Sequence, residues 1–404
     1  MNYDILLQGF HWDSPDVRKS NGTPRWYQII EENADRIKQS EFTLVWFPPP
    51  SDSVNKHGYE PRELNKLDSE YGSEVELKAA IAKLRPVKAI ADIVINHRSG
   101  SSNDSDFQNP FWKPEDAIVF GDEGSGRESM NTDTGLAASF SRDLDHTSSV
   151  VSNGIKDWMN SLKSRVGFVG WRYDFVKGYA PWANALYNSE TRPELSIGEF
   201  FDSNVQAVIN WIDGTNPNPA FRSTAFDFPL RDALYQAVVW RNYHWLKYID
   251  KAPGVIGLWS DKAVTFLENH DTEDVRDGQY ISWFPGGDQM LQGYAYLLTH
   301  PGIPSVFWRD IYDSNRYFED SINDLIRIRK EYGIHSESKL YIAAAEYGNV
   351  YSAYIQGDKG ELAMKIGPGS WQPGGSKWNN PIQQLLRSGG DFAVWGDRGR
   401  FWQV

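Results

Sequence analysis

The sequence predicts an α/β fold: a (β/α)8 TIM barrel with a loop-rich insert after its third strand and a small C-terminal antiparallel β-sheet domain. Three observations carry this expectation. Eight short apolar runs of strand length alternate with amphipathic stretches between residues 5 and 330. One interval near residue 100 breaks that rhythm. From about Lys339 onward the pattern becomes short alternating runs with glycine-rich turns between them.

Taken in chain order, the strand candidates are Ile5–Phe10, Thr43–Phe47, Ala89–Ile95, Gly167–Tyr173, Leu195–Phe200, Ser223–Phe228, Ala263–Leu267 and Ile303–Phe307. Apolar residues at three-to-four spacing predict helices over Trp26–Gln39, Glu74–Lys83, Gly154–Ser164, Leu230–Tyr248, Asp288–Thr299 and Asp320–Lys330. A doubly wound sheet is the alternative, but eight units favour a closed barrel over an open sheet. The interval 97–146 is rich in Ser, Asn, Asp and Gly and shows no helical period. A loop this long in a compact domain is functional or a small inserted domain. The tail has strand-like runs at Leu340–Ile342, Val350–Ile355, Leu362–Ile366 and Phe392–Trp395. The barrel is therefore assigned residues 1–96 and 147–337, the insert 97–146, and the sheet domain 338–404.

Composition narrows the function. A net charge of −13 argues against nucleic acid, whose phosphates need a basic face. No run of 18 apolar residues occurs, so no membrane span is expected. The absence of cysteine removes disulfides and thiolate chemistry and leaves the compartment open. The first residues carry neither the charged nor the apolar region of a signal peptide. The chain holds 17 Trp, 20 Tyr and 20 Phe, and aromatic planes are what the apolar faces of sugar rings stack on, though a large core also uses them.

In a barrel, residues at the C-terminal ends of the strands point into the active site. Strand three ends in Asp92-Ile93-Val94-Ile95-Asn96-His97, strand four in Arg172-Tyr173-Asp174, strand five in Gly198-Glu199, and strand seven in Glu268-Asn269-His270-Asp271. Asp174, Glu199 and Asp271 are thus expected to converge with Arg172 and two histidines. Glycosidic cleavage needs a proton donor for the leaving oxygen and a second carboxylate at the anomeric carbon, roughly 5–5.5 Å apart in a retaining enzyme. Neighbouring strands lie about 4.8 Å apart, so carboxyls ending strands four and five meet that requirement.

These segments resemble the four motifs of the α-amylase family, glycoside hydrolase family 13. They read DIVINH at Asp92–His97, GWRYDFVKG at Gly170–Gly178, GEFFD at Gly198–Asp202 and FLENHD at Phe266–Asp271. Further similarity lies in Leu7–Trp12, in Gly58-Tyr59 and in His300–Pro304, and it runs from about residue 4 to the end. The sequence is most similar to plant-type α-amylases and to bacterial maltooligosaccharide-forming ones. The resemblance implies Asp174 as nucleophile, Glu199 as acid/base with a raised pKa, and Asp271 as the third acid, which grips the sugar as its ring distorts. It implies Arg172 beside Asp174, and His97 and His270 hydrogen-bonding the central sugar with Tyr59 stacked beneath it. Lys177 and Phe201 are implied on the leaving-group side.

The resemblance also implies one Ca2+ between barrel and insert, with Asn96, Asp143 and the Gly178 carbonyl as ligands. Relatives supply a further aspartate shortly before the Asp143 position. Here that stretch carries no acid, which leaves Asp133 or water, and Asp143 also reads as a turn or cap residue. The expected partner is an α-glucan polysaccharide or oligosaccharide, acted on by a monomer with no nucleic acid or membrane. Endo-hydrolysis is the expected mode, with an exo-acting enzyme, a transglycosylase or a non-catalytic glucan-binding homologue as alternatives. A polymeric substrate places the protein outside the cell or in the periplasm, with the cytoplasm as the alternative.

Overall fold

The computed structural model describes residues 1–17, 25–119, 141–216, 218, 221–276, 279–284, 287–374, 377 and 382–397. Its centre is a closed parallel barrel of β1 Leu6–Gln8, β2 Leu44–Phe47, β3 Lys88–Ile93, β4 Gly170–Tyr173, β5 Ser196–Gly198, β6 Thr224–Phe226, β7 Ala263–Thr265 and β8 Ile303–Phe307. Strands pair in chain order, and β8 closes on β1 through Leu6↔Ser305. All eight expected strands are present. Most are shorter than the apolar runs that announced them. Their side chains are buried apart from Lys88, as expected of parallel strands covered on both faces.

The surrounding helices are α1 Trp26–Glu32, α2 Ala34–Gln39, α3 Glu74–Leu84, α4 Ser149–Ser161, α5 Pro181–Thr191, α6 Val205–Gly214, α7 Phe228–Val239, α8 Gly287–Thr299 and α9 Arg316–Tyr332. Two expectations need correction. The single helix expected over Trp26–Gln39 is two, divided at Asn33, which ends α1 and begins α2. The helix expected to reach Tyr248 stops at Val239, because Arg241 takes a left-handed φ of 58° and a separate turn follows at Tyr243–Leu246.

Helices α5 and α6 have no counterpart among the sequence expectations. In α5 the buried face is partly polar: Asn184, Asn188 and Thr191 all point inward. Asn188 accepts from the Tyr173 hydroxyl at 2.9 Å and donates to Ser196, Ser223 and the Phe221 carbonyl. Those bonds satisfy the amide without water, so a polar residue occupies a core position and blurs the apolar period.

In the insert, His97–Arg98 pairs antiparallel with Arg142–Asp143. The buried Arg98 guanidinium lies over Trp112, 4.6 Å from its ring centre, and donates to the carbonyls of Arg62 and Pro110. Asp133 falls outside the described residues. The C-terminal sheet consists of β9 Lys339–Ala345, β10 Tyr351–Gln356, β11 Glu361–Ile366, β12 Ile382–Gly389 and β13 Phe392–Asp397, in the antiparallel order β9-β10-β11-β13-β12. Strand β12 adds to the four expected runs. Buried Tyr351 on β10 meets His300 of the barrel at 2.8 Å. Among the described residues no helix is long and apolar enough to cross a membrane.

Candidate active site

The register of β4 and β5 sets the first two carboxylates. Tyr173 lies opposite Gly198, so the next residues, Asp174 and Glu199, leave neighbouring strands side by side. Their amides still donate inward, Asp174 to the Ile93 carbonyl and Glu199 to that of Tyr173, both at 3.0 Å. Phe175 then adopts a left-handed φ of 41°, a strained conformation for a bulky residue, and its N–H donates to Glu199 Oε2 at 3.0 Å.

Arg172 organises the floor of the site. It is wholly buried, with its guanidinium 4.9 Å from the Trp46 ring centre. Its Nη1 lies 2.8 Å from Asp174 Oδ1 and 2.9 Å from Asp92 Oδ1, while Nη2 lies 2.6 Å from Glu199 Oε1. One cation faces three carboxylates. Burial pushes the Glu199 carboxyl well above its ordinary range, and the charges of Asp271 and Asp174 add to this while Arg172 opposes it. Asp92 is also raised, chiefly by complete burial. Sequence reasoning gave Asp92 no role; the available signal was a lone charge inside the apolar run Ala89–Ile95.

Around this floor sits a set of rings. Tyr59 Oη lies 3.1 Å from Asp92 Oδ2 and 2.7 Å from His270 Nε2, and the two rings are parallel within 8°. His270 is further fixed by Gln8 at 3.0 Å, and burial lowers its pKa to about 4, so it is neutral at ordinary pH. His97 is buried, with Nε2 2.7 Å from the Tyr59 carbonyl. Asp271 stands at the rim, its side chain 39 % exposed and 3.3 Å from His270 Nε2. Trp12 also joins this group, stacked on His57 at 3.9 Å.

Two expected residues lie outside the ring cluster, on the β4 and β5 loops. Lys177 pairs with Asp202 at 2.7 Å and rests over Phe200, and Phe201 is 57 % exposed against the edge of Phe228. Of the three expected metal ligands, Asn96 and Gly178 lie in direct contact, and Asp143 pairs with His97, the residue after Asn96. Asn96 Oδ1 is buried without a hydrogen-bond partner, and a side chain added at Gly178 would meet that same atom at 1.8 Å. Asp143 is buried one residue beyond Arg142 in the ladder opposite His97. Among the described residues no three His, Asp or Glu cluster as a metal site. An amide oxygen, a carboxylate and a main-chain carbonyl are the oxygen donor types that calcium takes.

Residues 331–396 match the family described as the alpha-amylase C-terminal beta-sheet domain. Over 97 % of its length the chain is 36 % identical to probable alpha-amylase 2 of Arabidopsis thaliana, covering 94 % of that protein. The chain belongs to the α-amylase family. The chain is also 27 % identical, over 97 % of its own length and 73 % of the other's, to the glucan 1,4-alpha-maltotetraohydrolase of Stutzerimonas stutzeri. Its fold superposes on the alpha-amylase of Geobacillus thermoleovorans solved with acarbose, at a TM-score of 0.72 and 16 % identity, covering 98 % of this chain and 99 % of that one.

Proposed function

We propose that this protein hydrolyses internal α-1,4 bonds of starch, glycogen and related oligosaccharides with retention of configuration. The observation that carries the reading is the pair Asp174 and Glu199, leaving adjacent strands and held on one guanidinium. In the first step Asp174 attacks the anomeric carbon and forms a bond to it as the glycosidic bond breaks. Glu199 gives its proton to the leaving oxygen. In the second step the Glu199 carboxylate takes a proton from water, whose oxygen bonds to the anomeric carbon and releases Asp174. The raised pKa of Glu199 keeps its proton available for the first step.

Arg172 holds both carboxylates at a fixed separation. Asp271, His97 and His270 hydrogen-bond the sugar whose bond is cut, and Tyr59 provides the plane beneath it. Lys177 and Phe201 contact the sugar that leaves. Asn96, Asp143 and Gly178 would hold a calcium ion that fastens the insert to the barrel; its role would be structural, and no bond-making step passes through it. The enzyme acts as a monomer, outside the cell or in the periplasm, where a polymer substrate is met.

The test is a product time course on soluble amylose with Asp174→Asn as control. An early mixture of oligosaccharides with rapid loss of iodine colour is expected. A single short product from the start establishes exo-action instead, as in the maltotetraose-forming relative's name. No products from the unmodified enzyme, or equal activity in the control, overturns the mechanism.

A further inference from the structure

Glu273 lies two residues beyond Asp271, yet its side chain is only 2 % exposed. Its Oε1 accepts the Trp12 N–H at 2.6 Å, and its Oε2 lies 2.6 Å from Arg309 Nε. Arg309 sits in the short helix Trp308–Ile311 that follows β8, and it also pairs with Asp13. One carboxylate therefore ties the loops after β7, β8 and β1, three consecutive strands of the barrel.

What the tie holds is the backbone under Trp12. Trp12 is 37 % exposed. It stacks on His57 at 3.9 Å and is parallel to Tyr59 within 9° and to His270 within 17°. The rings form an aromatic step leading outward from the central sugar position. Strand β1 lies across the barrel from β5, which carries Glu199, so the step runs away from the leaving group. A ring already fixed in a stacking orientation loses little freedom when a sugar settles on it, and that gain is lost when its loop is free to move.

We propose that Glu273, acting with Arg309, is a positioning residue that fixes Trp12 as a platform for glucose units on the non-reducing side of the cleaved bond, and so sets the preference for longer chains. The proposal rests on the hydrolytic reading above. Glu273 touches no reacting atom; it acts through Trp12.

The experiment measures kcat and KM on maltotriose through maltoheptaose. The proteins are the unmodified enzyme, Glu273→Gln, Asp13→Asn, Trp12→Ala and the double variant Trp12→Ala/Glu273→Gln. Glu273→Gln is expected to lower kcat/KM on maltoheptaose roughly fivefold, expressed in KM, with the loss shrinking as the chain shortens. The double variant is expected to be no worse than Trp12→Ala alone, because the tie acts only through that ring. An equal loss at every length carried in kcat, or additive losses in the double variant, overturns the proposal. Should Glu273→Gln fail to fold, Asp13→Asn loosens the same arginine from a half-exposed position and carries the same comparison. If the unmodified enzyme releases no sugar from any substrate, the hydrolytic reading fails. Activity with an unchanged length profile in the variants defeats the platform alone.

Discussion

Glu199 is held between burial and two acidic neighbours, and its pKa lies well above the ordinary 4.5 of a glutamate. The folded protein therefore grips this proton more tightly than the unfolded chain does. Stability from this group is fully present below the unfolded value and is lost as pH rises through the folded one. Arg172 still has Asp92 and Asp174 as partners when the Glu199 charge is removed. Glu199→Gln is thus expected to be more stable than the unmodified protein near neutral pH, by about 1–2 kcal/mol, while losing activity. Calorimetry at neutral pH and at about pH 4 checks this, since the difference closes as the carboxyl protonates in both states. A lower midpoint for the variant at neutral pH contradicts it. Asp174, Glu199 and Asp271 were legible because each follows an apolar strand run. Asp92 was not, because its meaning lies in Arg172, Trp46 and Tyr59, contributed by other strands and loops.

At the scale of the element, β5 is held close to α6 by Gly198. A side chain added there would meet the Trp211 ring at 2.0 Å. Gly198→Ala is therefore expected to cost about 1–3 kcal/mol and, by moving the residue before Glu199, to reduce kcat more than substrate binding. Thermal denaturation with steady-state kinetics measures both, and an unperturbed midpoint contradicts the packing described. All eight strands were legible because a parallel strand covered on both faces is a continuous apolar run. Helices were less so. Asn33 divides one without interrupting its apolar period, and the inward asparagines of α5 conceal another. A residue that satisfies its polarity inside the core carries no outward mark in the sequence.

At the scale of the molecule, residues 97–146 are joined to the barrel beside Asn96, which touches Gly178 and precedes the His97–Asp143 pair. On the proposal that calcium holds that junction, a chelator is expected to lower the thermal midpoint, and added Ca2+ to restore it. Asp143→Ala is expected to abolish the response, as read by calorimetry without any activity assay. An equal chelator response in Asp143→Ala contradicts the assignment. The barrel and the terminal sheet were legible from changes of rhythm along the chain. The tie of Glu273 to the loops after β1 and β8 was not, because residues 12, 273 and 309 become neighbours only when the barrel closes.

The central claim, double displacement through Asp174 and Glu199 on an α-glucan, is tested most directly by the anomeric form of the product at the moment of release. Proton NMR during maltoheptaose hydrolysis, recorded before mutarotation, is expected to show the α-anomer first. The β-anomer appearing first means a single inverting displacement and contradicts the account.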